Sequence, residues 1–288
     1  MIKSFSKINL FLKVLKKNNK GLHIIQSSVM LLDLHDKISL KKINKNKDNI
    51  KFIGRFKKNI NINTNTISKS LFLLRKHNLI DKKKKYKITV NKKVPVFAGL
   101  GGGTSNSVFL IKYFLKNKVS DKLLKIFEDE IGSDFRLFFL NHSFQKSLKK
   151  ILNFRKKYTF YFVLVYPNIN SSTKEVYSKV KRFNLPLKTD LSKIDSKERY
   201  IKFIKNEKND LQKIVPHTRT NAKLLAKTTM ASIMRPPSLL VVSAPSVKNT
   251  ETHTMTVRTK MDDISIKCSS WLCFFSFSTS SSYTMMKL

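Results

Sequence analysis

Glycine is scarce in this chain and unevenly placed. There are 7 glycines in 288 residues, and none after Gly132. At average usage the 156 residues from 133 to 288 would hold about 11. Cysteine is nearly absent. Cys268 and Cys273 are the only two, and their spacing matches no zinc or redox signature. Long apolar runs are missing as well. A membrane-crossing helix needs roughly 18 such residues, and the best run, Trp271–Phe277, is too short. The first twenty residues carry Lys3, Lys7 and Lys13 inside their apolar stretch, which is too charged for a secretory core. These absences argue against a disulfide-stapled secreted module, a zinc site and a helical membrane protein. The expected location is the cytoplasm, with no membrane partner.

Acidic residues are few, 18 against 58 Lys and Arg, for a formal net charge of +40. Such an excess suits a nucleic-acid or anionic-membrane partner. Its distribution does not. Lysine runs through every segment up to Lys213, arginine is scarce, and Asn, Ile and Phe are frequent alongside. The excess therefore reads as compositional background, and no nucleic-acid partner is expected. The field still attracts a polyanion such as a nucleotide. With 41% apolar residues in 288, the chain can form a core and is long enough for two modest domains of roughly 100–200 residues each.

Local patterns give the elements. Ser4–Leu15 alternates as a strand. Asn18–Gly21 is a turn, His23–Leu34 an extended segment, Asp33–Asp36 a second turn, and Lys37–Ile43 a strand. Lys45–Asp48 reads as a polar loop. Thr66–His77 has helical apolar spacing, Asp81–Lys85 is a charged turn, and Tyr86, Ile88 and Val90 alternate as a strand. Asp121–Glu130 and Thr173–Arg182 read as helices, and Tyr158–Tyr166 as a buried strand. The domain boundary is expected near Phe144–Lys156. From about Pro216 the composition shifts to Ser, Thr, Met and Pro.

The most informative stretch runs Pro95-Val96-Phe97-Ala98-Gly99-Leu100-Gly101-Gly102-Gly103-Thr104-Ser105-Asn106 and leads into the apolar helical segment Ser107–Leu115. Four of the seven glycines fall in Gly99–Gly103. Without Cβ, their N–H groups can approach a ligand closely. A helix starting at Thr104 or Ser105 would aim its free N–H groups and positive dipole end at the same point. Either hydroxyl could cap that helix or help hold Mg²⁺ beside phosphates. No Gly-Lys-Ser/Thr follows, so this is not a Walker A loop. A plain strand-to-helix turn needs only one or two glycines. The segment is therefore a phosphate-binding candidate.

The loop Pro95–Ser107 resembles the ATP-binding motif of the galactose, homoserine, mevalonate and phosphomevalonate (GHMP) kinase superfamily. Three further segments narrow the resemblance to its 4-diphosphocytidyl-2-C-methyl-D-erythritol kinase family. The first is Ser6–Leu12 followed by Gly21–Ser27, the second Ile131-Gly132-Ser133-Asp134-Phe135, and the third Tyr166-Pro167 followed by Ser172–Tyr177. Together the four cover the chain from residue 4 to about 215. The resemblance implies a two-domain α+β fold. Residues 1–150 would form the ATP-binding domain, and 151–215 the start of a smaller α+β substrate domain. It also implies transfer of the ATP γ-phosphate to the 2-hydroxyl of a cytidine-diphosphate sugar alcohol in the non-mevalonate isoprenoid pathway.

Site residues follow from the same resemblance. Asp134 falls on the aspartate that orients or deprotonates the hydroxyl, and Lys7 on a strand lysine that neutralises charge there. Pro95, Ala98, Gly99, Leu100, Gly101, Gly102, Gly103, Thr104 and Ser105 would hold the nucleotide, with Thr104 and Ser105 near the metal. Asn9 and Thr173 would bind substrate, His23 the nucleobase, and Tyr177 would stack on cytosine. Two departures stand out. Leu22 replaces the usual aromatic before the histidine, and the superfamily's third glycine-rich motif is missing. Residues 216–288 accordingly read as an atypical Ser/Thr-rich segment, shifted in frame or joined from elsewhere. Three alternatives stand beside this one: another kinase of the superfamily, a catalytically silent nucleotide-binding relic, and a basic nucleic-acid-binding protein. Oligomeric state is not legible.

Overall fold

A computed structural model of the chain describes residues 1–19, 21–58, 60–164 and 173–214, together with short strands at 240–243, 265–269 and 272–276. The expectations placed on Tyr166-Pro167, on Trp271 and on most of 216–288 lie outside the described residues.

The architecture is mixed α and β, built on a six-stranded sheet. Strand β1 (Ile2–Lys17) and the long β2 (His23–Ile43) form an antiparallel hairpin. Its turn is closed by the Asn18 N–H donating to the Leu22 carbonyl at 2.8 Å. The other edge of β2 pairs with β4 (Lys85–Asn91) at one end and β5 (His142–Gln145) at the other. Strand β3 (Asn49–Ile53) lies parallel to β4. A parallel neighbour needs a crossover, and α1 (Thr66–Lys76) supplies it. Strand β6 (Ile151–Asn153) extends the sheet beyond β5, so the first sheet runs to residue 153.

One expectation changes here. The segment Asp33–Asp36 is no turn: β2 runs unbroken through it. Between the partners of Phe5 and Ser6 the strand carries two extra residues, Asp33 and Leu34, as a bulge. Asp36 is fully buried because Lys92 and the N–H groups of Lys93 and Val94 satisfy its carboxylate. Strand β3 follows directly on the polar loop. Its five residues, Asn49–Ile53, are too few to show a pattern of their own, and the pairing with β4 defines the strand.

The helices form where caps and apolar faces coincide. Asn65 accepts from the Ser68 N–H to start α1, and Ser120 does the same for α3 (Asp121–Ile131) through Leu123. Helices α1, α2 (Gly102–Phe114) and α3 pack on one sheet face around Leu31, Leu74, Val108, Phe127 and Phe138. The opposite face of the β1–β2 hairpin buries Ile8, Met30 and Leu32 against Ala98, Leu100 and the strand β7 (Tyr161–Leu164). A third cluster joins Phe11 and Phe144 to Phe154, Leu191 and Tyr200 of α5 (Lys197–Asn206). The short helix α4 (Thr173–Ser178) and Leu211 cover Leu12, Val14 and Ile25. Strand β7 pairs with β8 (Leu240–Ser243), and β9 (Ser265–Ser269) with β10 (Leu272–Ser276). Among the described residues no helix is long and apolar enough to cross a membrane.

Candidate active site

The glycine loop enters α2 earlier than its composition suggests. Gly101 is the N-cap in the left-handed region, φ 68°, and Gly102 and Gly103 already form the first helical turn. A Cβ at Gly101 would stand 2.8 Å from Phe138 Cζ and 3.3 Å from the Lys7 side chain, so only glycine fits there. The loop is pinned from behind. The Lys7 N–H donates to the Leu100 carbonyl at 3.0 Å, and the Thr66 hydroxyl to the Gly103 carbonyl at 2.9 Å. The first-turn N–H groups of a helix lack intrahelical partners and carry the positive dipole end. Here they open on a cavity of about 980 Å³.

Pro95, Ala98 and Gly99 through Thr104 all line that cavity. Ser105 does not. It is fully buried, and its hydroxyl contacts the Phe5 carbonyl and the Ser4 hydroxyl, leaving none toward a ligand. Beneath the loop lies a polar network that composition concealed. Lys92 Nζ donates to Asp36 and, at 3.1 Å, to Asn106 Oδ1, whose Nδ2 reaches Ser4 Oγ at 2.9 Å. It ties the first turns of α2 to β1 and β2. Burial lowers the Lys92 pKa and the Asp36 charge opposes that.

Lys7, Asn9 and Asp134 also line the cavity. Lys7 Nζ is 3.2 Å from Asp134 Oδ2 and donates to Asn9 Oδ1 at 3.0 Å. Asp134 heads the short 3-10 turn Phe135–Phe139 without capping it. Its side chain is about one-third exposed, while that of Lys7 is buried. Gly132 turns the chain beside the loop: a Cβ there would lie 3.7 Å from Thr104 Oγ1. The arrangement joins an anion cradle, a cation and a carboxylate that keeps acceptor capacity beside its pairing with Lys7, which suits moving a phosphoryl group onto a hydroxyl.

His23, Thr173 and Tyr177 line the far end. The His23 and Tyr177 rings are 5.2 Å apart at 34°, and Phe183, half exposed, stands 6.2 Å from His23. Burial and then Lys17 lower the His23 pKa, so the ring is neutral near pH 7. Burial and then the Asp134 charge raise the Tyr177 phenol. Sequence reasoning missed Lys92, Phe183 and Gln145, whose contacts come from pairing and packing far along the chain. Among the described residues no cluster of three or more His, Cys, Asp or Glu could hold a metal ion.

No family model matches the chain. It is 38% identical over 222 residues to the 4-diphosphocytidyl-2-C-methyl-D-erythritol kinase of Pelagibacter ubique, covering 74% of this chain and 75% of that protein. The kinase of that name from Francisella philomiragia is 33% identical over 212 residues, 66% and 70% of the two chains. That from Buchnera aphidicola is 32% identical over 181 residues, 60% and 61%. Among solved structures, a 4-(cytidine 5'-diphospho)-2C-methyl-D-erythritol kinase superposes with TM-score 0.61 at 16% identity, over 96% of this chain and 89% of that one. A mevalonate diphosphate decarboxylase from Legionella pneumophila does so with TM-score 0.51 at 10% identity, over 96% and 92%. The fold is shared with both.

Proposed function

The chain belongs to the 4-diphosphocytidyl-2-C-methyl-D-erythritol kinase family, and from that premise we propose that it transfers the γ-phosphate of ATP to the 2-hydroxyl of 4-(cytidine 5'-diphospho)-2-C-methyl-D-erythritol, giving ADP and the 2-phosphate. The carrying observation is that one cavity holds the helix end at Gly101–Thr104, the Lys7–Asp134 pair and the His23–Tyr177 rings.

The glycine-loop N–H groups hold the nucleotide phosphates. Asp134 accepts the proton of the 2-hydroxyl as its oxygen bonds to the γ-phosphorus and the bond to ADP breaks. Lys7 keeps the carboxylate oriented and offsets the negative charge that gathers on the transferring group. Asn9 aligns the acceptor alcohol. His23 and Tyr177 flank the cytosine, and Thr173 lies at the same end. Mg²⁺ is usually held by one or two carboxylates plus substrate phosphates. Thr104 lines the cavity beside the glycine loop and would hold a Mg²⁺ carried in on the nucleotide phosphates, whose charge the ion would neutralise. The cytoplasm supplies ATP to such an enzyme and is its proposed location.

The test is ADP release by the purified chain with ATP, Mg²⁺ and the cytidine-diphosphate substrate, with mevalonate and homoserine as competing acceptors. Turnover with the cytidine substrate alone is expected. Preference for another alcohol would replace the substrate, and ATP binding without turnover on any of them would replace the activity.

A further inference from the structure

Gln145 ends β5 opposite Ser27 of β2. It is 1% exposed, and neither its Nε2 nor its Oε1 has a hydrogen-bond partner. A buried primary amide that has given up water without a replacement is a liability to the fold. This one lines the active-site cavity.

Strand register fixes where the amide lies. In an antiparallel sheet, directly paired residues share a face and alternate residues along a strand return to it. On β2, Val29, Ser27, Ile25 and His23 therefore share one face. Their partners on β1 are Asn9, Leu12, Val14 and Lys17. Gln145, opposite Ser27, belongs to the same face. At about 3.3 Å per residue, its row lies roughly 7 Å along β2 from the Asn9 row and roughly 13 Å from His23. The acceptor end and the base end of the cavity thus bracket Gln145. Ser143, opposite Val29 on the same face, also has a buried hydroxyl without a partner.

We propose that the Gln145 side-chain amide binds the ribosyl diphosphate of the nucleoside-diphosphate substrate, between its base and its acceptor alcohol. The inference rests on the function proposed above. The chemistry matches: the amide offers two N–H donors and one carbonyl acceptor. Phosphate oxygens accept, and ribose hydroxyls both donate and accept. A neutral amide can be held dry until the ligand arrives, where a charged side chain would need a counter-ion.

The experiment uses the full chain carrying Gln145→Met, which keeps length and approximate volume and removes the polar atoms. CDP and a non-hydrolysable ATP analogue are titrated calorimetrically, and KM is measured for both substrates. CDP affinity should weaken roughly ten-fold, as for a hydrogen bond to a charged group, with KM for the cytidine substrate following. ATP-analogue affinity should stay unchanged, and thermal stability should hold or rise. Unchanged CDP affinity in a more stable variant would leave the amide an orphan of the core and overturn the proposal. The ratio of CDP to UDP affinity should match wild type, and a changed ratio would assign the amide to the base instead. Gln145→Glu keeps the shape and adds a charge, so it should bind CDP more weakly than the Met variant. Equal binding would also overturn the proposal. Wild-type CDP binding without phosphorylation would remove the kinase assignment and leave this one standing.

Discussion

Asp134 sits where a helix-capping carboxylate would be expected and makes no capping bond. Among the described residues, its charged neighbour within ion-pair distance is Lys7, at 3.2 Å. That leaves acceptor capacity for a ligand hydroxyl. Asp134→Asn keeps the shape and removes the basicity. It should lower kcat by about 100-fold or more, the scale of general-base contributions, with ATP affinity little changed, and near-normal turnover would falsify the role. A second residue-scale prediction concerns pH. Burial pushes the His142 imidazole down to about 3. The ring stacks on Phe154 with centroids 3.7 Å apart, and its Nε2 meets the Tyr200 hydroxyl at 2.9 Å. The unfolded chain regains the ordinary value of about 6.5. Below that pH the unfolded state takes up a proton that the native ring refuses. The His142 contribution is therefore complete above about pH 6.5 and is lost toward pH 3, at up to about 1.4 kcal/mol per unit. His142→Phe leaves the Ser28–Tyr200 bond of 2.6 Å in place. Urea unfolding at pH 7.5 and pH 5 should show wild type losing about 1–2 kcal/mol more than the variant. Parallel losses would dismiss the titration of this ring.

The elements show what local sequence can and cannot carry. Alternation marked β1 and β4, and glycine density marked the loop into α2, because both signals are complete within about ten residues. The bulge of β2 was not legible. Two carboxylates and a histidine in Asp33–Asp36 look solvent-bound until Lys92 is seen to reach Asp36 from the end of β4. Gln145 escaped for the same reason, since its row on the sheet exists only through pairing with Ser27. Two predictions belong at this scale. Breaking the buried pair with Asp36→Ala leaves Lys92 uncompensated and should cost about 3–5 kcal/mol in denaturant unfolding. Asp36→Leu combined with Lys92→Met should recover most of that, and equal losses in the single and double variants would mean that the bulge, not the pair, holds the loop. In the loop itself, Gly101→Ala puts an L residue at φ 68° with its Cβ 2.8 Å from Phe138 Cζ. The conformation alone costs about 1–2 kcal/mol. ATP-analogue affinity should fall with it, and unchanged affinity would make the segment a turn without a ligand.

At the scale of the whole molecule, the question is what the chain after about Val215 contributes. The stretch shared with the Pelagibacter kinase covers 74% of this chain. Family-like text ends near Asn209-Asp210-Leu211-Gln212, where Asp210 still accepts from the Val14 N–H at 2.7 Å and so closes the matched part onto β1. Beyond it come both cysteines, the only tryptophan and a run of Ser and Thr, still without a glycine. The pairing of β7 with β8 does not require related sequence. An open strand edge offers N–H and C=O groups that almost any extended segment can meet. Gradual divergence would blur composition along the whole chain, whereas a frame slip or joined segment changes it at one point, as observed near Pro216. The expected outcome is therefore specific. Translating the coding DNA after Val215 in the other two frames should reveal a Lys- and Ile-rich continuation carrying a Gly-Ser-Gly-like segment. Stop codons without such a segment in both frames would count against a slip. The purified 288-residue chain should bind ATP through the loop that residues 95–107 complete. It should also show lower kcat and thermal stability than a chain joined to the recovered continuation, because the added segment would supply the third glycine motif. Equal kcat and stability in the two chains would mean that residues 216–288 already serve as the domain's native end.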